Sequence, residues 1–262
     1  MKNLISRIVS EFKPSFNFKK IKFPIATCAI SFLLILVYFA FSSWSLFMSD
    51  SAVYSLGLFK LNLQNIFAYL FVHVGIIHLV SNLVPFVIFG FFLENDSRIK
   101  FHDFILIFFL AGTVSGLLFL LFNQETMLIG ASAAISGIVG ACAVLRPKET
   151  ILGLLFMPLF FFLFIPLIYA GVQNSISSAK QDIAVLNQSM QKLLIENKTL
   201  EASKLNESLS NAVVFEEQQS SGSQRENATP SDFMVHIYGL VVGVLYAHFV
   251  VRSRGGLGAS RD

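Results

Sequence analysis

Five polar side chains that can take part in catalysis lie within otherwise apolar segments of this sequence. They are His73, His78, Asn82, Ser132 and His236. A serine hydroxyl becomes a good nucleophile when an adjacent base takes its proton. Histidine, with an unperturbed pKa of about 6.5, is the natural base near neutral pH. The residue types therefore predict nucleophilic chemistry by a serine–histidine pair, with further side chains near it to stabilise an oxyanion.

The segment FVHVGIIHLVSN places His78 and Asn82 four residues apart, so the two side chains share one face of a helix. Polar groups inside a membrane are costly and are functional candidates by default. This face would offer an imidazole and an amide as hydrogen-bond donors. The alternative is interhelical hydrogen bonding, which also occurs at such positions.

Ser132 and His236 each lie at the start of a predicted helix that carries small residues. Ser132 follows Gly130 and opens a run rich in Gly, Ala and Ser, whereas His236 precedes Gly239 and Gly243. A Gly-x-x-x-Gly pattern permits close approach of two helix backbones. If the two helices pack tightly, the hydroxyl and the imidazole meet at one depth. A helix-packing face alone would explain the glycines but not the histidine in front of them.

The composition is that of a polytopic membrane protein. Hydrophobic residues make up 55% of the chain and charged residues only 13%, with 29 phenylalanines, whereas soluble domains carry about 25% charged residues. The net charge of +3 includes no basic stripe interleaved with aromatics, so nucleic-acid binding has no support. Cys28 and Cys142 are expected to be small buried hydrophobes. Neither a disulfide, a metal site nor a cofactor is indicated.

The apolar segments predict an all-α bundle of six transmembrane helices. A hydrocarbon core of about 30 Å needs roughly 20 apolar residues per helix. The predicted spans are residues 24–44, 73–93, 103–122, 131–145, 150–171 and 232–251. The fourth is short and rich in small residues, which predicts a central helix buried in protein rather than in lipid.

The basic residues predict the orientation. Six precede the first span, two lie between the second and third, two between the fourth and fifth, and three follow the sixth, so 13 of the 19 lie on one side. By the positive-inside rule both termini are cytoplasmic. We expect an integral protein of the cell membrane, in contact with the lipid bilayer.

The chain divides into five segments on this basis. They are a basic cytoplasmic segment 1–23, spans one to five over 24–171, a polar extracytoplasmic insertion 172–230, span six over 231–251 and a cytoplasmic tail 252–262.

The insertion contains a short heptad-like pattern from Ile183 to Leu200. It predicts a helix that continues span five and either pairs with another copy, by self-association through 176–210, or folds back. An isolated amphipathic helix is the third alternative. Residues 216–230 are typical of a flexible linker.

These motifs, taken together, resemble the rhomboid protease family. The H-x4-H-x3-N run, the G-x-S motif before a small-residue helix and the H-x2-G-x3-G helix occur in that order over six spans. The resemblance covers roughly residues 24–251 apart from the insertion. It implies that Ser132 is the nucleophile and His236 the general base, in a dyad without an acidic third member.

The resemblance also implies roles for the remaining motif residues. His78, Asn82 and the backbone amide of Ser132 would form the oxyanion hole, and Gly130 would shape the turn before the nucleophile. The residues with structural roles would be His73, Glu94, Gly239 and Gly243.

The sequence departs from the family pattern in three respects. Ala133 stands where the family often has Gly. Ser136 stands where an aromatic residue often supports the base, so His236 needs another support, Tyr238 or a phenylalanine of span five. A Trp-Arg pair of the first external loop is missing and falls near Gln64 and Asn65, which puts the ordering of that loop in question.

The resemblance implies an endopeptidase that cleaves transmembrane protein substrates in or near their membrane-spanning segments. One alternative is a catalytically inactive rhomboid-like protein that binds client transmembrane helices. Another is a small transporter or channel with histidine and asparagine in a polar path. The insertion would recruit substrates or control the gate, or would be a tolerated addition without function.

Overall fold

A computed structural model describes residues 21–42, 45–59, 63–123, 126–196, 198–228 and 233–255. Most of these residues are helical, and the β-structure among them consists of two isolated bridges, so the predicted all-α class is confirmed. The helices are α1 Ile25–Ser42, α2 Asp50–Leu56, α3 Ile76–Glu94, α4 Phe101–Phe122, α5 Ser132–Leu145, α6 Pro147–Leu159, α7 Ile165–Ile195, α8 Thr199–Ala228 and α9 Phe233–Gly255.

Among the described residues, five helical rods are long and apolar enough to cross a membrane, and α5 is a shorter apolar helix. The rods are α1, α3, α4, the continuous rod Pro147–Ile195, and α9. These elements agree with the six predicted spans to within a few residues, with two exceptions. The rod Pro147–Ile195 continues 24 residues beyond the predicted end of span five at residue 171, and α9 continues through 252–255, which were predicted as tail. The rest of the predicted tail and residues 1–20 lie outside the described residues.

The short helix α5 lies at the centre of the bundle, in contact with α3, α4 and α9. Most of its side chains are buried, and they are small. Small residues suit this position because helix association in lipid depends on close packing. Large apolar side chains such as Phe162, which is 84% exposed, point outward, where a bilayer would cover them. Cys142 is buried as predicted, but Cys28 is exposed, so that prediction was wrong.

Glu94, at the end of α3, holds the first turn of α1. Its carboxylate accepts hydrogen bonds from the backbone amides of Ala26 (3.0 Å) and Thr27 (2.7 Å) and from the Thr27 hydroxyl (2.6 Å). The first amides of a helix lack partners within the helix, and the helix dipole favours a negative charge there. Glu94 therefore fixes α1 against α3 at the end of the bundle opposite to the start of α5.

At the same end, α9 is fixed to α4 through a buried carboxylate. Asp103 accepts hydrogen bonds from Tyr246 (2.9 Å) and from both terminal nitrogens of Arg254 (2.7 and 3.1 Å). Arg254 also donates to the carbonyl of Arg98. Since the charges are paired and hydrogen-bonded, the buried carboxylate is tolerated.

The last turn of α5 is fixed by a neighbouring ion pair. Arg98 donates two side-chain hydrogen bonds to Asp96 (2.9 and 2.8 Å) and a third to the carbonyl of Leu145 (2.7 Å). Burial alone would raise the pKa of Asp96, but the hydrogen bonds and charge of Arg98 together hold it below its usual value. The central helix is thus held at the end away from Ser132.

Span five leaves the bundle as one rod. Five π-helical residues, Phe160–Phe164, follow Pro158 and join α6 to α7. Proline removes one hydrogen bond of an α-helix. The π-helical turn after Pro158 accommodates this loss, and the rod continues without a break.

The polar insertion forms a helical hairpin. Helix α7 continues span five, and α8 folds back and packs along it. The seam side chains Ile183, Leu186, Met190 and Leu193 of α7 are half-buried, and Ala202 and Leu209 of α8 are buried. The fold-back alternative is therefore the one observed, and α8 occupies the surface considered for self-association. The prediction of a flexible linker was wrong for 216–228, which are helical.

Candidate active site

Helices α5 and α9 pack with their backbones in direct contact. A Cβ atom on Gly239 would lie 2.0 Å from the carbonyl oxygen of Ala133 and 3.3 Å from Cβ of Ser136. A Cβ atom on Gly243 would lie 1.9 Å from the carbonyl oxygen of Gly137. Only glycine fits at these two positions of α9, and the contacts set the register of the two helices.

This register brings Ser132 and His236 to the same level. Ser132 shares a face of α5 with Ser136, and His236 shares a face of α9 with Gly239, because residues three or four apart on a helix are neighbours. Since Ser136 and Gly239 touch, Ser132 and His236 each lie about one turn, roughly 5.4 Å, above that contact on facing helices. Both side chains are half-buried. We call the end at which α5 begins the site end.

Gly130 makes the turn before Ser132 possible for two reasons. Its φ of 96° is in the left-handed region that favours glycine. A Cβ atom here would also lie 2.7 Å from Nε2 of His78, so the imidazole packs directly on the glycine backbone. His78 is thereby held against the backbone at a point two residues before Ser132 in the chain.

The first turn of α3 carries His78 and is supported from the loop before it. Phe47 forms an antiparallel bridge with Gly75, the N-cap of α3, and the amide of Ile76 donates to the carbonyl of Leu46 (3.0 Å). The ring of the buried His73 meets the ring of His78 edge-on at 5.0 Å. His78 and His236 are also close enough to interact electrostatically.

Asn82 lies one turn further along α3 and is buried. Its Nδ2 donates a hydrogen bond to the carbonyl of His78 (2.8 Å). An amide nitrogen carries two hydrogens, and this bond uses one of them. The arrangement orients the amide toward the turn that carries His78.

The start of α5 adds backbone donors at Ser132. Ala131 is the N-cap and makes no side-chain cap hydrogen bond. The first amides of a helix point out of its end and carry the positive end of the helix dipole. An oxyanion formed beside Ser132 would meet this partial charge.

Ser136 and Tyr238 do not replace the missing aromatic support. The Ser136 hydroxyl donates to the carbonyl of Ser132 (2.9 Å) and its Cβ faces Gly239. Tyr238 is two residues from His236 on a continuous helix, so it lies on nearly the opposite side. The expectation that Tyr238 supports His236 was wrong.

Tyr69 joins the turn at Gly130 to α4, a role that the sequence analysis missed. Its carbonyl accepts from the amide of Gly130 (2.9 Å), and its hydroxyl donates to the carbonyl of Gly112 (2.7 Å). The spacing of Gly112 and Gly116 in span three was the available signal, because it marks a close approach.

Asn65 is a second residue that supports the turn at Gly130 and whose role the sequence did not predict. It is buried, and its Nδ2 donates to the carbonyls of Ser55 (2.9 Å) and Gly57 (2.8 Å). Leu58, which follows Gly57, forms an antiparallel bridge with Leu128, and Leu128 lies two residues before Gly130. The described part of this loop is thus ordered without the Trp-Arg pair.

Among the described residues there is no group of three or more His, Cys, Asp or Glu side chains that could hold a metal ion.

The fold and site define a class: a polytopic helical membrane protein with a serine and a histidine one turn from the contact of two tightly packed helices, one of them the buried central helix. Residues 60–185 match a family model described as Rhomboid domain. This match, over 126 of the 262 residues, agrees with the resemblance of the sequence motifs to the same family. The matched stretch includes His78, Asn82 and Ser132 but ends before α9, so His236 lies outside it.

One similar protein is RHOMBOID-like protein 6, mitochondrial, from Arabidopsis thaliana. It is 39% identical over 72 residues, which are 28% of this chain and 23% of the relative. The alignment therefore spans about a quarter of the relative. No solved structure matches the chain.

Proposed function

We propose that this protein is an intramembrane serine endopeptidase with Ser132 as nucleophile and His236 as general base. The observation that carries the proposal is the glycine-mediated contact of α5 and α9, whose register sets the two side chains at one level. A serine and a histidine on facing helices form the minimal unit of nucleophilic acyl transfer.

The reaction would proceed in two steps. The Ser132 oxygen attacks the carbonyl carbon of the scissile peptide while its proton passes to the His236 imidazole. The imidazolium then gives that proton to the departing amine as the C–N bond breaks, which leaves an acyl ester on Ser132. A water molecule, deprotonated by His236, hydrolyses the ester and restores the serine.

The tetrahedral intermediate carries a negative charge on the former carbonyl oxygen. We assign the Ser132 amide, His78 and Asn82 as its donors, because the two side chains lie on one turn of α3 and His78 packs on Gly130. One such donor typically contributes about 2.7–4 kcal/mol to lowering the barrier.

Substrates would be membrane proteins whose transmembrane helices unwind near the site end, where the dyad lies. The half-buried position of Ser132 and His236 suits an extended peptide rather than an intact helix, since a helical peptide bond is shielded by its own turns. We further propose that both termini face the cytoplasm and that the protein resides in the cell membrane, from the distribution of Lys and Arg.

The test is cleavage of a labelled model transmembrane substrate by purified protein in detergent. We expect wild-type activity and its loss in Ser132→Ala and in His236→Ala. Two matched controls should keep activity: Ser136→Ala, whose hydroxyl bonds to the backbone, and His248→Ala, an exposed histidine on the same helix as His236. Cleavage that survives Ser132→Ala would refute the nucleophile.

A second function, the binding of client helices without cleavage, is favoured by Ser136, which leaves His236 without the aromatic support common in the family. Absence of cleavage by wild type across several substrates, with retained co-purification of those substrates, would establish this function instead. A transporter has less support, because the ion pairs Asp103–Arg254 and Arg146–Glu149 lie at helix ends rather than mid-span.

A further inference from the structure

The polar insertion repeats the tripeptide Asn-x-Ser/Thr, in which x is not proline. This is the acceptor pattern for N-linked glycosylation. It occurs four times within residues 187–227, at Asn187, Asn197, Asn206 and Asn227, and once elsewhere in the chain, at Asn95. A segment rich in Asn and Ser contains some such tripeptides by chance. Their position in the fold therefore decides whether they can carry a glycan.

The first of the four lies well beyond the bilayer. It belongs to the continuous rod Pro147–Ile195, and at 1.5 Å per residue Asn187 lies roughly 60 Å along the rod from Pro147. A bilayer with its headgroup regions is only about 40–45 Å thick. The rod begins beside the basic residues Arg146 and Lys148. By the orientation proposed above, Asn187 therefore lies outside the cell, where glycans are found.

The side chains of Asn187 and Asn206 are both exposed, and so are those of Ser189 and Ser208, which complete their tripeptides. The seam between α7 and α8 is formed by other residues, such as Ile183 and the buried Ala202. A glycan on either asparagine would therefore project into solvent and leave the seam closed.

The two asparagines lie on the same face of the hairpin. Asn187 follows Ile183 by four residues, and Asn206 follows Ala202 by four. Four residues bring the chain about 40° past a full turn, so each asparagine lies that far beyond its seam residue in the direction of winding. Because the helices are antiparallel and face each other, these rotations lead to the same side of the hairpin.

The two asparagines also lie at nearly the same height. The register of the hairpin is fixed by the contacts of Gln173 with Ser223 (3.3 Å) and of Lys180 with Glu216 (3.6 Å). From the first contact to the second, α7 advances by seven residues and α8 by the same number. This register, continued toward the tip, sets Asn206 level with Met190. The axial separation from Asn187 is then three residues, or about 4.5 Å.

We propose that Asn187 and Asn206 are N-glycosylated, so that two glycans stand side by side on one face of the hairpin. In this transfer Nδ2 of the asparagine loses a proton and bonds to C1 of the first sugar of a lipid-linked oligosaccharide diphosphate. The C1–O bond to the phosphate breaks, and the lipid diphosphate leaves. The proposal rests on the proposed orientation of the chain and does not require protease activity.

The transfer must precede the folding of the hairpin. Residues two apart on a helix lie on nearly opposite sides, so in folded α7 the hydroxyl of Ser189 cannot share a recognition site with Asn187. Asn and Ser are weak helix formers, and most helices in proteins depend on tertiary packing. The tripeptides therefore remain extended until α7 and α8 meet, and a membrane-bound transferase can act on them during insertion.

The test is the electrophoretic mobility of the full chain, expressed in a eukaryotic cell line, before and after peptide-N-glycosidase F. The Asn197→Gln and Asn227→Gln substitutions are present throughout, so that only the proposed pair is counted. We expect the enzyme to remove two glycans. Asn187→Gln and Asn206→Gln should each remove one step of the mobility shift, and the double variant should remove both.

Two sets of variants complete the test. Ser189→Ala and Ser208→Ala keep the asparagines but destroy the acceptor pattern, and each should also remove one step. Asn95→Gln is the matched control, because this tripeptide lies at the opposite end of the bundle, where Asn95 donates to the carbonyl of Phe91 (3.0 Å). Its mobility should equal that of the parent chain.

A further variant, with a Gly/Ser linker and Asn-Ser-Thr added after Asp262, separates the orientation from the sites. We expect this added tripeptide to stay unmodified. Its modification in place of the hairpin would overturn the proposal through the orientation. The absence of any glycan, or a shift that survives the double variant, would overturn the two sites themselves. Because none of these readouts involves cleavage, an inactive protease would leave the result unaffected.

Discussion

A Cβ atom on Gly239 would lie 2.0 Å from the carbonyl oxygen of Ala133, so α9 approaches α5 as closely as two helix backbones can. Gly239→Ala must push the two helices apart, and this movement also separates His236 from Ser132. We expect a loss of about 1–3 kcal/mol in unfolding free energy and a fall in cleavage of roughly tenfold or more, since small displacements of reacting groups are costly.

The control for this substitution is Gly171→Ala, at an exposed helical glycine with nothing within 4 Å. It adds the same methyl group and the same gain in helix propensity. Thermal unfolding in detergent and the cleavage assay should separate the two variants. Equal behaviour would contradict the register of α5 and α9 described above.

The oxyanion donors can be tested by His78→Ala and Asn82→Ala. A donor that acts in the transition state lowers kcat and leaves KM nearly unchanged. We expect kcat to fall about 10²–10³-fold for a true donor. A rise in KM with unchanged kcat would instead indicate substrate binding.

Asn65→Ala tests the support of the loop behind Gly130. The substitution leaves the carbonyls of Ser55 and Gly57 without their donor, at a cost of about 1–3 kcal/mol for buried groups. We expect a lower unfolding temperature together with a lower kcat, because Leu58 pairs with Leu128 just before the catalytic turn. The neighbouring Gln64 is exposed, and Gln64→Ala should behave as wild type.

The Asp96–Arg98 pair predicts a dependence of stability on pH. The pKa of Asp96 in the folded protein is below its unfolded value, which is about 3.9. The stabilisation is therefore present above about pH 4 and is lost as the pH falls through the folded pKa. Because Arg98 is 40% exposed, we expect Asp96→Asn to cost only about 1 kcal/mol at pH 7.

The measurement is thermal unfolding of wild type and Asp96→Asn between pH 7 and pH 3. The two curves should converge at low pH, where the wild-type carboxylate is protonated. The exposed Asp182 provides the control, and Asp182→Asn should follow wild type throughout. A constant difference between wild type and Asp96→Asn would contradict the assignment.

Much of the architecture could be predicted because membrane helices obey strong one-dimensional constraints. About 20 apolar residues are needed to cross a bilayer, so the starts of the six spans could be predicted from the sequence to within a few residues. The small residues of 131–145 marked the central helix, since small side chains are what a helix surrounded by others requires. The heptad-like pattern from Ile183 indicated a helix but left its partner open, because spacing does not say which surface covers a seam.

Positions that depend on distant backbone groups could not be predicted in this way. Asn65 was read as a departure from a family pattern, whereas its two hydrogen bonds order the described part of the loop. Cys28 lies in an apolar run yet is exposed, because apolar residues in a membrane span face lipid as readily as protein. The aromatic type and nearness in sequence of Tyr238 suggested a support for His236, but on the continuous helix α9 the two residues lie on nearly opposite sides.

The candidate residues Ser132, His236, His78 and Asn82 followed from the sequence alone, because their types and their rarity in apolar segments are local properties. It also determined the Gly-x-x-x-Gly pattern that allows α9 to approach another helix. The identity of that other helix required the three-dimensional fold, since the register comes from Gly239 against Ala133, more than a hundred residues apart in the chain. The return of the insertion to Phe47 is likewise visible only in the fold, because the contact of Gly222 with Phe47 joins segments that no sequence period relates.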